Sequence, residues 1–146
     1  MARFAAGVLT TAGSTTLPIF ALTGGTTVRP HIVEIGVSNT TATAVALKLA
    51  RITTAGTPGS TATSSQVTDP EGPVSIALAK GTYTSTGPTL VDLGYRCVLG
   101  AAIGSAFIWT FGGAGLVIPA TSGFGIGIVV ENGTGQACQA YAVWDE

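Results

Sequence analysis

One histidine, two cysteines and seven carboxylates are the groups of this chain that could carry acid–base, nucleophilic or metal chemistry. A Ser-His-Asp or Cys-His relay would have to run through His31. That residue follows Pro30 at the start of a predicted strand, with no serine, cysteine or aspartate signature nearby, and reads as structural or exposed. Cys97 and Cys138 stand 41 positions apart, which fits neither a CxxC redox motif nor a zinc site. They read as small buried apolar residues, with cross-strand neighbours as the alternative. Of the acids, Asp69, Glu71, Asp92, Asp145 and Glu146 could pair or gather calcium, and Asp69-Pro70-Glu71 lies in a loop. The spacing matches no calcium loop, so these read as solvated loop charges. No catalytic residue, cofactor site or metal site is expected, and the chain is predicted not to be an enzyme.

Gly123-Phe124-Gly125-Ile126-Gly127-Ile128 has the glycine density of a phosphate cradle. A cradle needs a helix to start there, whereas this run has period two. Phe124, Ile126 and Ile128 are expected to face a core, leaving Gly123, Gly125 and Gly127 as a bare strip that another backbone or subunit can approach. Asn132-Gly133-Thr134 matches a glycosylation sequon but sits between apolar runs, where Asn-Gly is first a hairpin turn. Tyr95, Trp109, Phe111, Tyr141 and Trp144 could form a sugar-stacking platform or serve as core and interface anchors; alternating strand positions favour the second.

The elements that must carry these residues are strands. Thr, Val and Ile abound, and short β-like runs recur between Gly, Pro, Asn and Asp clusters, with no amphipathic helix in view. HIVEIGVSN (31–39) alternates. TAVALKLARIT follows with Val45, Leu47, Leu49 and Arg51 on one face, and Asn39-Thr40-Thr41-Ala42 between them reads as a hairpin turn. Residues 53–73 read as a long exposed loop with one short edge strand, and 74–80 as a strand or one helical turn. Five further strands follow: YRCVLGA, AFIWTF, GLVIPA, GFGIGIVVE and QAYAVW. The predicted fold is all-β, a jelly-roll-like sandwich of about eight to ten strands.

Residues 1–30 read as an N-terminal arm or edge strands, and 31–146 as the sandwich domain. Threonines and small residues there surround only short apolar pieces. The arm is expected to reach a neighbouring chain, with Phe4, Val8, Leu9, Ile19, Phe20 and Leu22 as contacts and the glycine strip packing near an oligomer axis. Deleting residues 2–22 should then leave a folded body that binds its partner poorly.

Composition points to association. Apolar residues make up 46% of 146 and charged residues 9%, against about 25% charged in an ordinary soluble domain. A free monomer so poor in charge has little to keep it soluble. The 6 basic and 7 acidic residues are scattered, without the clustered basic face that nucleic acid requires. The 34 residues Cys97–Val130 carry no charge, but glycines and Pro119 interrupt any transmembrane helix there. MARFAAGVLT is a poor secretory signal, which implies synthesis in a cytoplasm.

From Arg29 onward the chain resembles small jelly-roll proteins found among the virion genes of tailed bacteriophages, particularly those of actinobacteria. The likeness is carried by VEIGV (33–37), RITTAGTPG (51–59), LGYR (93–96), LGAAIG (99–104), IWTFG (108–112), LVIP (116–119), GIGI (125–128), GTGQ (133–136) and the closing VWDE. These are packing and turn motifs, specific through their number and order. The resemblance implies a capsid decoration or cement protein, homotrimeric, bracing the major capsid protein on the outer face of a phage head. The alternative is a tail or fibre module that recognises host-surface carbohydrate through the 53–73 loop and the aromatics.

Overall fold

Alternation of apolar and polar side chains over His31–Asn39 and Cys138–Asp145 sets one face of each segment inward, and the two segments pair antiparallel along their length. The computed structural model describes residues 1–58 and 64–146. These form eleven strands and no helix: β1 (Arg3–Leu9), β2 (Phe20–Thr23), β3 (His31–Asn39), β4 (Val45–Ile52), β5 (Gln66–Val67), β6 (Leu78–Lys80), β7 (Leu90–Leu99), β8 (Ala106–Thr110), β9 (Leu116–Val117), β10 (Gly125–Asn132) and β11 (Cys138–Asp145).

Two antiparallel sheets face each other. The first runs β5-β1-β11-β3-β8, with β9 also on β3; the second runs β6-β2-β10-β4-β7. The pairings β4·β7, β3·β8, β2·β10 and β1·β11 are nested, as in one long hairpin rolled so that successive strands alternate between sheets. Closing contacts β10·β4 and β11·β3 complete the roll. This is the jelly roll, whose two sheets bury one shared core.

The rolled path corrects two turns. Asn39–Ala42 and Asn132-Gly133 do turn the chain, but each joins strands of different sheets and is a corner, not a hairpin. Asn39 is buried and serves the corner directly. Its amide donates to the carbonyls of Thr43 (2.6 Å) and Gly100 (3.0 Å), and its oxygen accepts from the Thr41 amide (3.0 Å).

The N-terminal arm is also corrected. β1 pairs with β11 over seven residues, and β2 lies between β10 and β6. Phe4 stacks on Trp144 with centroids 5.9 Å apart, and Phe4, Ile19, Phe20 and Leu22 are core. Residues 1–30 therefore belong to the sandwich. The edge-strand reading is close, since among the described residues only the two-residue β5 lies outside β1 and only the three-residue β6 outside β2.

The threonine-rich stretch between β1 and β2 closes over the outer face of the second sheet. There Ala21, Ile52 and Tyr83 form a small second cluster against Leu17 and Leu90. Buried Thr82 fixes this cover: its hydroxyl lies 3.2 Å from the Thr11 and Ile19 carbonyls and accepts from the Thr11 amide at 2.9 Å. Of the long loop at 53–73, β5 is the expected short edge strand, and residues 59–63, with the end of RITTAGTPG, lie outside the described residues. The segment at 74–80 ends in strand β6.

Candidate functional site

The residues with chemical potential are dispersed and already bonded. His31 lies at the β3–β9 junction, with its Nδ1 2.6 Å from the Ala114 carbonyl. Asp69 caps its own turn by accepting from the Glu71 amide at 3.1 Å. Asp145 holds Arg3 through two contacts of 2.8 Å, and this pair keeps its carboxyl below the ordinary range. Asp92 accepts from the Gly94 amide at 2.7 Å, which, with Lys48 and Arg96, holds its carboxyl low. Among the described residues, no three His, Cys, Asp or Glu side chains gather as a metal site would require.

Both cysteines are free and buried in the core. Burial pushes the Cys97 thiol up to about 12 and the Cys138 thiol to about 11. Such thiols remain protonated and unreactive.

The expected contact residues divide. Phe4, Ile19, Phe20 and Leu22 are sealed inside this chain and cannot meet another, because their strands complete its own sheets. Leu9 is exposed and Val8 half-buried. The glycine strip is approached by this chain itself. A Cβ on Gly125 would lie 2.4 Å from the Leu22 carbonyl oxygen, and one on Gly127 would lie 3.3 Å from Pro18 and from Ile52. Gly123 sits 3.1 Å from the Ala55 amide on the same measure. Ile126 and Ile128 do face the core.

The aromatics form no single platform. Trp144 is in the core, and Tyr141 lies on the outer face of the first sheet with its hydroxyl donating to Glu34 at 2.6 Å. Tyr95, Phe107, Trp109 and Phe111 gather elsewhere, where β7 and β8, the outer strands of the two sheets, run side by side. Tyr95 meets Phe111 edge-on at 5.3 Å across the gap between sheets, and Phe107 meets buried Trp109 at 5.1 Å.

This side of the sandwich is where apolar surface concentrates. Val98 is 70% exposed, Ile103 74%, Ile108 52%, Tyr95 42% and Phe107 40%. An apolar groove beside Ile108, lined by Val37, Ala106, Gln139 and Tyr141, continues the patch onto the outer face of the first sheet. The far side carries a smaller stripe, Val74, Ile76 and Leu78, along the chain entering β6. Exposed apolar patches on a folded chain mark sites of contact with another molecule.

Of the β7–β8 side the sequence points to Tyr95, Trp109 and Phe111 as possible anchors but not to exposed Val98, Phe107 and Ile108, although a signal for them is present. Strand β8 is apolar at both parities, with Ala106 and Ile108 on one face and Phe107 and Trp109 on the other. In an edge strand, one of those faces must meet something other than its own core.

No protein-family model, curated protein or solved structure matches this chain.

Proposed function

We propose that the chain is a non-enzymatic structural protein of a tailed-phage virion. In this reading it is a decoration or cement protein that binds the outer surface of the head as a homo-oligomer and stabilises the major capsid protein beneath. The observation that carries the reading is the exposed, uncharged edge strand β8, with exposed Val98 and Ile103 beside it, on a jelly roll, a fold that viral capsid domains use. Two apolar sides support two kinds of contact, one with further copies and one with the shell. Stabilisation would come from repeated burial, on the order of 25 cal/mol per Å² of apolar surface before ordering costs.

The test is the copy number of this chain relative to the major capsid protein in purified particles, by quantitative mass spectrometry. A number comparable with that of the capsid protein supports a shell-covering role. A handful of copies, or none, rejects it.

A tail or fibre module reading host carbohydrate is the second reading, and the exposed Tyr95 is what favours it. The burial of Trp109 and Trp144 leaves it fewer stacking faces than the sequence offered. Saturable binding on a glycan array would move the assignment there.

A further inference from the structure

β8 is the last strand of its sheet, and its bonding to β3 fixes which of its backbone groups are free. The Asn39 amide donates to the Ser105 carbonyl and the Phe111 amide to the Val33 carbonyl, each at 2.8 Å, with regular register between them. Bonded residues alternate along an antiparallel ladder. Phe107 and Trp109 therefore turn their amides and carbonyls toward β3, while Ala106, Ile108 and Thr110 turn theirs outward. Among the described residues, no strand lies beyond β8.

Sheet edges are normally guarded by charge, bulges or brevity. β7 has a register shift, with Gly94 at φ 82°, and the charges of Asp92 and Arg96; β5 and β6 are two and three residues long. β8 has none of these guards. Its sequence is Ala-Phe-Ile-Trp-Thr, and along the chain the nearest charges are Arg96 and Glu131.

We infer that β8 pairs with β8 of a second copy, antiparallel about a two-fold axis at Ile108. The free groups belong to residues 106, 108 and 110, so this axis sets Ile108 against Ile108 of the partner subunit and Ala106 against Thr110 of the partner subunit. Every outward amide then meets an outward carbonyl, and the edge is complementary to itself. The pairing makes one continuous sheet across two molecules, covers Phe107 and Ile108, and opposes no like charges. An isologous edge closes at two copies, where the phage resemblance implies three. The inference rests on the self-association half of the proposed function and not on attachment to a capsid.

The test is the mass of the full chain in solution by analytical ultracentrifugation. Wild type should sediment as a dimer, at twice the 14.5 kDa chain mass. Ile108→Lys sets two ammonium groups face to face, and Ile108→Pro removes only an outward amide, sparing the bonds to β3. Both variants should be monomers with unchanged circular dichroism. Ile108→Cys should form a disulfide-linked dimer on mild oxidation, whereas Leu9→Cys, exposed on β1, should not. A wild-type monomer or trimer, a dimer that survives Ile108→Lys, or failure of Ile108→Cys to cross-link overturns the inference. Each of these leaves the particle copy number untouched, so the two proposals fail separately.

Discussion

The ring of Tyr141 lies flat across Gly36 on the neighbouring strand, so that a Cβ built on Gly36 would fall 2.1 Å from Cε1 of the ring. Only the absence of a side chain lets the ring reach Glu34, to which its hydroxyl donates at 2.6 Å. Gly36→Ala should force the ring off this seat and cost about 1–3 kcal/mol in chemical denaturation, the usual range for overpacking. In a Tyr141→Ala background the same substitution should be nearly neutral, and strict additivity of the two changes would refute the contact.

The same hydrogen bond sets a pH dependence. Donation to Glu34, reinforced by burial and by the carboxylate charge, raises the Tyr141 phenol from the ordinary 10.0 to about 12. The folded state holds that proton more tightly than the unfolded chain does. Its contribution to stability is therefore complete below pH 10 and disappears as pH rises toward 12. A difference titration of phenolate absorbance, wild type minus Tyr141→Phe, should show one tyrosine ionising near 12. A difference curve centred at 10 would contradict the assignment.

Cys97 and Cys138 make a separate prediction through their buried thiols. With both raised well above the ordinary 9.0 by burial, neither supplies thiolate at neutral pH. The native protein should leave a thiol reagent such as dithionitrobenzoate unreacted, and denaturant should release two thiols per chain. Fast modification of the folded protein would mean that the core opens locally around one of them.

Strand identity was legible in the sequence wherever one face is buried. The alternation of HIVEIGVSN and the shared face of Val45, Leu47, Leu49 and Arg51 survive intact; Arg51 ends that face by donating to the Val117 carbonyl at 3.1 Å. What local pattern cannot carry is the destination of a strand after a turn. Asn-Gly bends the chain equally well into a hairpin or a corner, and here the choice is made by pairings distant in sequence, such as Asn39 with Cys138. The N-terminal segment was misread for the same reason. β2 is four residues long and buried on both faces, a length that shows no period, and its partners lie in β6 and β10. The glycines of β10 were read correctly as a close-approach strip, but the approaching backbone is β2 of the same chain.

Glu146, read from the sequence as a solvated loop charge, instead clamps the stripe at 74–78. Its carboxylate accepts from the Ser75 hydroxyl (2.9 Å), the Ile76 amide (2.9 Å), the Ala77 amide (2.8 Å) and the Trp144 indole (3.0 Å). Glu146→Ala strips these donors of their acceptor, and a donor left unsatisfied costs about 1–3 kcal/mol. Hydrogen exchange at Ile76 and Ala77 should accelerate well before global unfolding. Unchanged protection of those two amides would show that the segment is held by something else.

Deletion of residues 2–22 separates an arm from an integral strand pair, and the structure reverses the outcome expected from sequence. The deletion removes β1 and most of β2 and strips β11 of a partner along seven residues. It also takes Phe4 from Trp144 and empties the core volumes of Ile19, Phe20 and Leu22. Truncating one such side chain to Ala typically costs about 2–5 kcal/mol, and a whole domain is stable by only about 5–15 kcal/mol. The losses exceed what the fold can absorb, so the truncated chain should be insoluble or lack a cooperative thermal transition. A soluble fragment with native near-ultraviolet circular dichroism would show that the sandwich closes without its first two strands and would restore the arm.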